Sequence, residues 1–260
     1  MKKGILSIAV LSGCSSLVQA ATVTLTAVAD TVVFHRDGSF TYNSTNYGTA
    51  AQLDTSQFGA GIWALSYMRF DLSSIPAGST IDSAVFRVTK TTTTNIAGFV
   101  VVRNDAITTG RFGSYGLLDV AGNTAQNWDE TTLTGNSLGS ERNSGANPQF
   151  DSGTRTVDLN AATETLLSSA TVVEVSGSSV AGFVQGRLDA TTNSGLATFI
   201  VDYMEDASGG ARGYSFASRE NVSSLAPPTL VINYTAPVPE PGVSLLGGLG
   251  LLALLRRGRK

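Results

Sequence analysis

The chain holds one histidine, His35, and one cysteine, Cys14, and these bound its chemistry. A serine nucleophile needs a base, usually a histidine oriented by a carboxylate. His35 sits in His35-Arg36-Asp37-Gly38, which reads as an exposed turn, and no G-x-S-x-G joins a strand to a helix. A zinc site built on several nitrogen or sulfur ligands lacks its ligands. Carboxylates remain. Asp202, Glu205 and Asp206 cluster in DYMEDASGGARG, and Asp129-Glu130 follow Trp128. Paired carboxylates cleave glycosides, but acids beside glycine-rich turns suit a hard cation better. Asp30, Asp202, Glu205 and Asp206 are the candidate calcium ligands, against the plainer reading of solvated loop acids. No EF-hand or nonapeptide spacing accompanies them. Among the aromatics, Trp128, Tyr47 and Tyr115 lie in or beside turns, where flat rings stack on sugar faces. Trp128 could equally brace a loop, and Trp63 reads as packing. Arg69 with Asp71, and Arg219 with Glu220, read as structural pairs. No catalytic constellation emerges, so the expectation is a protein without enzymatic activity.

These residues are carried mainly by strands. Charged residues make up 14% of the chain, against roughly 25% in ordinary soluble domains. Glycine reaches 28 residues, and threonine and serine are abundant, a composition suited to sheets and turns. Short strand-like segments fall at 22–33, 63–72, 81–88, 99–103, 154–159, 172–175, 197–203, 213–218 and 229–234, separated by small polar turns. Residues 160–167 alone look helical in the body, and 111–148 form a long loop carrying Trp128. The expected fold is all-β, a jelly-roll-type antiparallel β-sandwich over residues 21–234, with a C-terminal hydrophobic helix.

Both ends carry a different composition. Lys2 and Lys3 precede an apolar stretch and the small-residue site Val18-Gln19-Ala20, the layout of a signal peptide over residues 1–20, removed by signal peptidase. Cleavage there would discard Cys14; Leu11-Ser12-Gly13-Cys14 also has the layout of a lipobox, the alternative being a lipidated Cys14. Without residues 1–20 and 240–260 the body keeps 11 of 17 basic and 19 of 20 acidic residues, a net charge of −8. That balance disfavours nucleic acid. After a linker at 235–238 comes Pro239-Glu240-Pro241, then the uncharged run 242–255, then Arg256, Arg257, Arg259 and Lys260. Fourteen residues make a helix of roughly 21 Å, short of the ~30 Å hydrocarbon core. The basic cluster would stay on the cytoplasmic side of the inner membrane, giving a marginal span suited to a temporary hold.

That order of motif, short apolar helix and arginine cluster at 239–260 resembles the PEP-CTERM sorting signal. The resemblance implies an exosortase partner, Glu240 as the central recognition residue, and export to the surface or extracellular matrix of a bacterium that makes exopolysaccharide or biofilm. The body, over about 28–234, resembles the DNRLRE-type, disaggregatase-related carbohydrate-binding module family. The residues that carry this are Ala29-Asp30-Thr31, Asn46-Tyr47-Gly48, the stretch SYMRFDLSSIPAGSTI from Ser66, WDETTLTGN from Trp128, and Phe216-Ala217-Ser218-Arg219-Glu220 followed by PPTLVINY. It implies a jelly roll with polysaccharide binding in some relatives. Gly135 stands where the family pattern has a second aromatic, and 35–45 looks like an expanded loop.

Overall fold

A computed structural model describes residues 19–36, 41–58, 62–91, 111–141, 154–159, 172–193, 195–204, 212–222 and 224–238. Eleven strands are described: β1 (Ala20–Thr26), β2 (Ala29–Arg36), β3 (Gln52–Phe58), β4 (Ile62–Asp71), β5 (Thr80–Thr89), β6 (Arg111–Leu117), β7 (Thr156–Asp158), β8 (Val172–Ser176), β9 (Leu196–Met204), β10 (Arg212–Ala217) and β11 (Thr229–Thr235). One helix, α1 (Ser178–Leu188), and two short 3-10 turns, Thr41–Ser44 and Gly135–Ser137, complete the described elements. The strands form two antiparallel sheets. One has the order β1-β11-β5-β8; the other runs β10-β3-β4-β9-β6-β7, with β2 added on β4.

Period-two alternation builds the core between them. Phe86, Val88, Leu230 and Ile232 of the four-stranded sheet meet Phe34, Met68, Phe70, Phe199 and Phe216 of the larger one. Phe199 is central: its ring stacks on Phe86 at 4.6 Å and meets Phe70 and Phe183 edge-on at 5.4 and 5.2 Å. Helix α1 supplies Phe183, with Val180 and Val184 also buried.

Several sequence expectations change. Residues 22–33 are two strands, not one, because the chain changes sheets between them. Ala27 N–H donates to the Pro228 carbonyl (3.1 Å) in the small sheet, and Val28 N–H to the Arg69 carbonyl (2.7 Å) in the large one. Strands β3 and β6 and helix α1 were not expected. Two glycines, Gly113 and Gly116, mask the strand character of β6; a Cβ on Gly116 would lie 2.5 Å from the Phe183 ring, so the helix seats itself where that side chain is missing. Helix α1 likewise contains Gly182 and Gly186, which cost helix propensity. The expected strand at 99–103, helix at 160–167 and C-terminal helix lie outside the described residues. Among the described residues, no helix is long and apolar enough to cross a membrane.

The two ends of the body leave together. Ala20 lies opposite Thr235 in the β1–β11 ladder, and Ala236 N–H donates to the Gln19 carbonyl at 3.2 Å.

Candidate functional site

The outer face of the larger sheet is not bare. Val33, Leu65, Tyr67, Tyr115, Leu117 and Ile200 project there and join Trp128 and Leu133 from residues 118–141 in a second apolar cluster. The connection is therefore a strap across the sheet. Its polar groups are satisfied inward: Gln126 accepts from Thr198 N–H (3.1 Å) and donates to the Leu117 carbonyl (2.5 Å). Glu141 is wholly buried and accepts from Thr124 N–H (3.0 Å), the Thr124 hydroxyl (2.5 Å) and the Tyr67 hydroxyl (3.1 Å). Buried carboxylates persist only with such partners. Nothing in SERNS singles Glu141 out, so sequence reasoning missed it.

Trp128 is 5% exposed and Tyr115 6%. The Trp128 indole N–H donates to Thr198 Oγ1 at 3.1 Å, its ring meets Tyr67 edge-on at 6.4 Å, and the Arg69 guanidinium lies 5.1 Å from its centroid. Tyr47 is half-buried and tilts against Phe34 at 5.0 Å. Trp128 and Tyr115 thus offer no open ring face to a sugar; of the two sequence readings of Trp128, bracing is the one its surroundings match. Gly135 has a packing cause as well. A Cβ there would overlap the Phe34 carbonyl, so this backbone approach leaves no room for an aromatic. His35 belongs to β2 rather than an exposed turn, with Nδ1 3.4 Å from the Gly135 carbonyl.

The motif residues converge at one end of β2. Asp30, Glu130 and Glu220 place carboxylate oxygens within 4.8 Å of one another. Asp30 N–H donates to Glu130 Oε1 (2.6 Å), and Arg219 N–H donates to Asp30 Oδ2 (2.8 Å). The Arg219 guanidinium pairs with Glu130 (3.3 Å) and Glu220 (3.6 Å) and donates to the Val28 carbonyl. Asn46 donates to the carbonyls of Glu130 (2.8 Å) and Leu133 (2.9 Å), and a Cβ on Gly48 would overlap the Glu130 carbonyl. Arg69 donates to the Trp128 carbonyl; Asp71 instead accepts from Ser73 N–H at 2.8 Å, so the expected Arg69–Asp71 pair is not made. Five segments far apart in sequence are tied into one knot.

Burial, above all, pushes the Asp30 carboxyl up to about 8; the Arg219 N–H bond opposes this, and the nearby Glu220 and Glu130 add to it. A protonated acid beside carboxylates has the electrostatics of a glycosidase pair. Asp30 is 1% exposed, however, so no glycosidic oxygen can reach it. The three oxygens are also a donor set that a hard cation can use, but Arg219 already supplies the opposing charge. Of the four candidate calcium ligands, only Asp30 belongs to this group. Asp202 is buried on β9 and is not among the three, and Glu205 and Asp206 lie outside the described residues. Glu130 and Glu220 replace them, and the WDET and FASRE motifs that hold both were the available signal.

The solvent face of the four-stranded sheet has another character. Thr22, Asn233 and Ser83 stand in one cross-strand row, Thr24, Val231, Val85 and Ser176 in the next, and Thr26, Thr229, Arg87 and Glu174 in a third. Thr22 donates to Asn233 (2.5 Å), Asn233 to Ser83 (2.8 Å), and Arg87 pairs with Glu174 at 2.7 Å. This face, mostly hydroxyls with Asn233, two valines and one ion pair, is the accessible candidate for glycan contact. The sorting residues Pro239, Glu240 and Pro241 and the basic cluster lie outside the described residues. No family model and no curated protein matches this chain.

Proposed function

We propose that this is an exported, non-enzymatic β-sandwich module, jelly-roll in type, delivered by its C-terminal segment to an exosortase and working at the cell surface or in the extracellular matrix. The observation that carries this reading is the closeness of the two ends of the body, Ala21 lying opposite Tyr234 in the β1–β11 ladder. The leader and the sorting segment then leave the body side by side. Three residues, 236–238, separate the last strand from Pro239, so the motif stays within roughly 14 Å of the sheet end. A processing enzyme in the membrane would meet the motif with the folded body held against the outer surface.

Polysaccharide is the proposed ligand, on the hydroxyl-bearing face of the four-stranded sheet. Polar side chains fixed on a rigid sheet exchange hydrogen bonds with sugar hydroxyls at little ordering cost. A body with a net charge of −8 repels polyanions, so neutral polysaccharide is the expected class. Calorimetric titration of the exported protein should give heat with a neutral polysaccharide and none with an acidic one. Flat titrations with both would remove the glycan half and leave a purely structural matrix protein.

A further inference from the structure

The four-stranded sheet ends at β1, whose outer side no described strand covers. The ladder shows which groups are left over. Ala27 N–H donates to the Pro228 carbonyl and Ala236 N–H to the Gln19 carbonyl, and in an antiparallel pair bonded residues alternate with non-bonded ones. The odd-numbered residues of β1 therefore bond to β11. Ala20, Thr22, Thr24 and Thr26 turn their backbone N–H and C=O groups away from it. Such a row is a template for another strand, and proteins blunt it with charge, proline, bulges or short length. β1 has none of these: even from Ala21 on, ATVTLT carries no charged side chain and stays in unbroken register with β11.

The other edges are guarded. β8 has five residues and carries Glu174, and β7 has three. On β10, Thr91 N–H donates to the Ser215 carbonyl at 2.9 Å and Lys90 bridges to Phe216. On β2, Glu130 takes the Asp30 N–H. Val23 and Leu25 point toward the core from β1 but are only half-buried, so apolar surface borders the open edge.

We propose that the free edge of β1 pairs antiparallel with β1 of a second copy, joining two four-stranded sheets into one of eight. A twofold axis through Thr24 makes the edge self-complementary, as an isologous contact requires. Thr22 then faces Thr26 of the second copy, and Val23 lies beside Leu25 of the second copy, which covers both. No charge meets a like charge along the seam, whatever the net charge of the bodies. The pairing is independent of the sorting route.

The test is sedimentation of the full chain, expressed with its leader and purified in mild detergent, over a range of concentrations. A dimer is expected. Thr24→Pro removes an N–H that β11 does not use, at an edge position where proline is tolerated. It should leave the melting temperature unchanged and weaken the dimer roughly 30-fold, since one hydrogen bond is lost from each copy. Thr24→Lys, which opposes two charges across the axis, should do the same and decides the matter if the proline variant does not fold. A monomeric wild-type chain overturns the proposal. So does a dimer that survives in the folded variants, because contact through the C-terminal segment or any other surface would ignore both changes.

Discussion

Trp128→Ala should lower the melting temperature by about 10 °C. Removing a buried tryptophan costs about 3–5 kcal/mol, and each kcal/mol moves the transition by roughly 2–4 °C in a domain of this size. The loss has identifiable parts. The second apolar cluster loses its largest member, Thr198 Oγ1 loses the indole donor, and Arg69 loses the ring beside its guanidinium. Trp128→Phe keeps the ring and gives up mainly the hydrogen bond, so it should cost about 1 kcal/mol. Thermal unfolding followed by circular dichroism measures both. A tryptophan acting as a sugar platform would give the opposite pattern, with stability kept in both variants and glycan heat abolished in Trp128→Ala.

Asp30→Asn should remove a pH dependence of stability that the wild-type protein shows. The folded state holds the Asp30 proton up to about 8, against an ordinary value of 3.8. Between those values the folded chain binds more protons at this site than the unfolded chain, so stability falls as pH rises. The contribution is fully present below about pH 4, is lost as pH climbs through about 8, and is constant above that. Asparagine copies the neutral acid and keeps an oxygen for the Arg219 N–H. Wild type and variant should therefore melt together near pH 4 and separate with rising pH, the variant higher by on the order of 10 °C at pH 9. Parallel melting curves across that range would show that burial does not hold the proton.

Much of the sheet was legible because alternation survives wherever one strand face is buried. Strands β5, β8 and β11 read correctly for that reason. β6 did not, since Gly113 and Gly116 leave no alternation to read, and Gly116 is there to admit Phe183 from a helix that its own glycines conceal. The break at Ala27-Val28 is invisible because no glycine, proline or charge marks it in TVTLTAVA; only the partner strands differ. The site was half legible. ADT, NYG, RFDL, WDET and FASRE were each recognisable, but nothing local says that Asp30, Glu130, Arg219 and Glu220 meet. Trp128 misleads for a related cause. Its neighbours Asn127 and Asp129 are exposed, while the ring itself turns under the strap onto a sheet face that alternation alone assigns to solvent.

Most of those motifs, on this account, build a scaffold, and the ends of the chain carry its address. Intact-mass and terminal peptide spectrometry of the protein recovered outside the cell tests this most directly. The expected species begins at Ala21, lacks Cys14, and ends beside Pro239-Glu240-Pro241 without Arg256, Arg257, Arg259 and Lys260. An exported chain that keeps residues 242–260 intact would contradict the account.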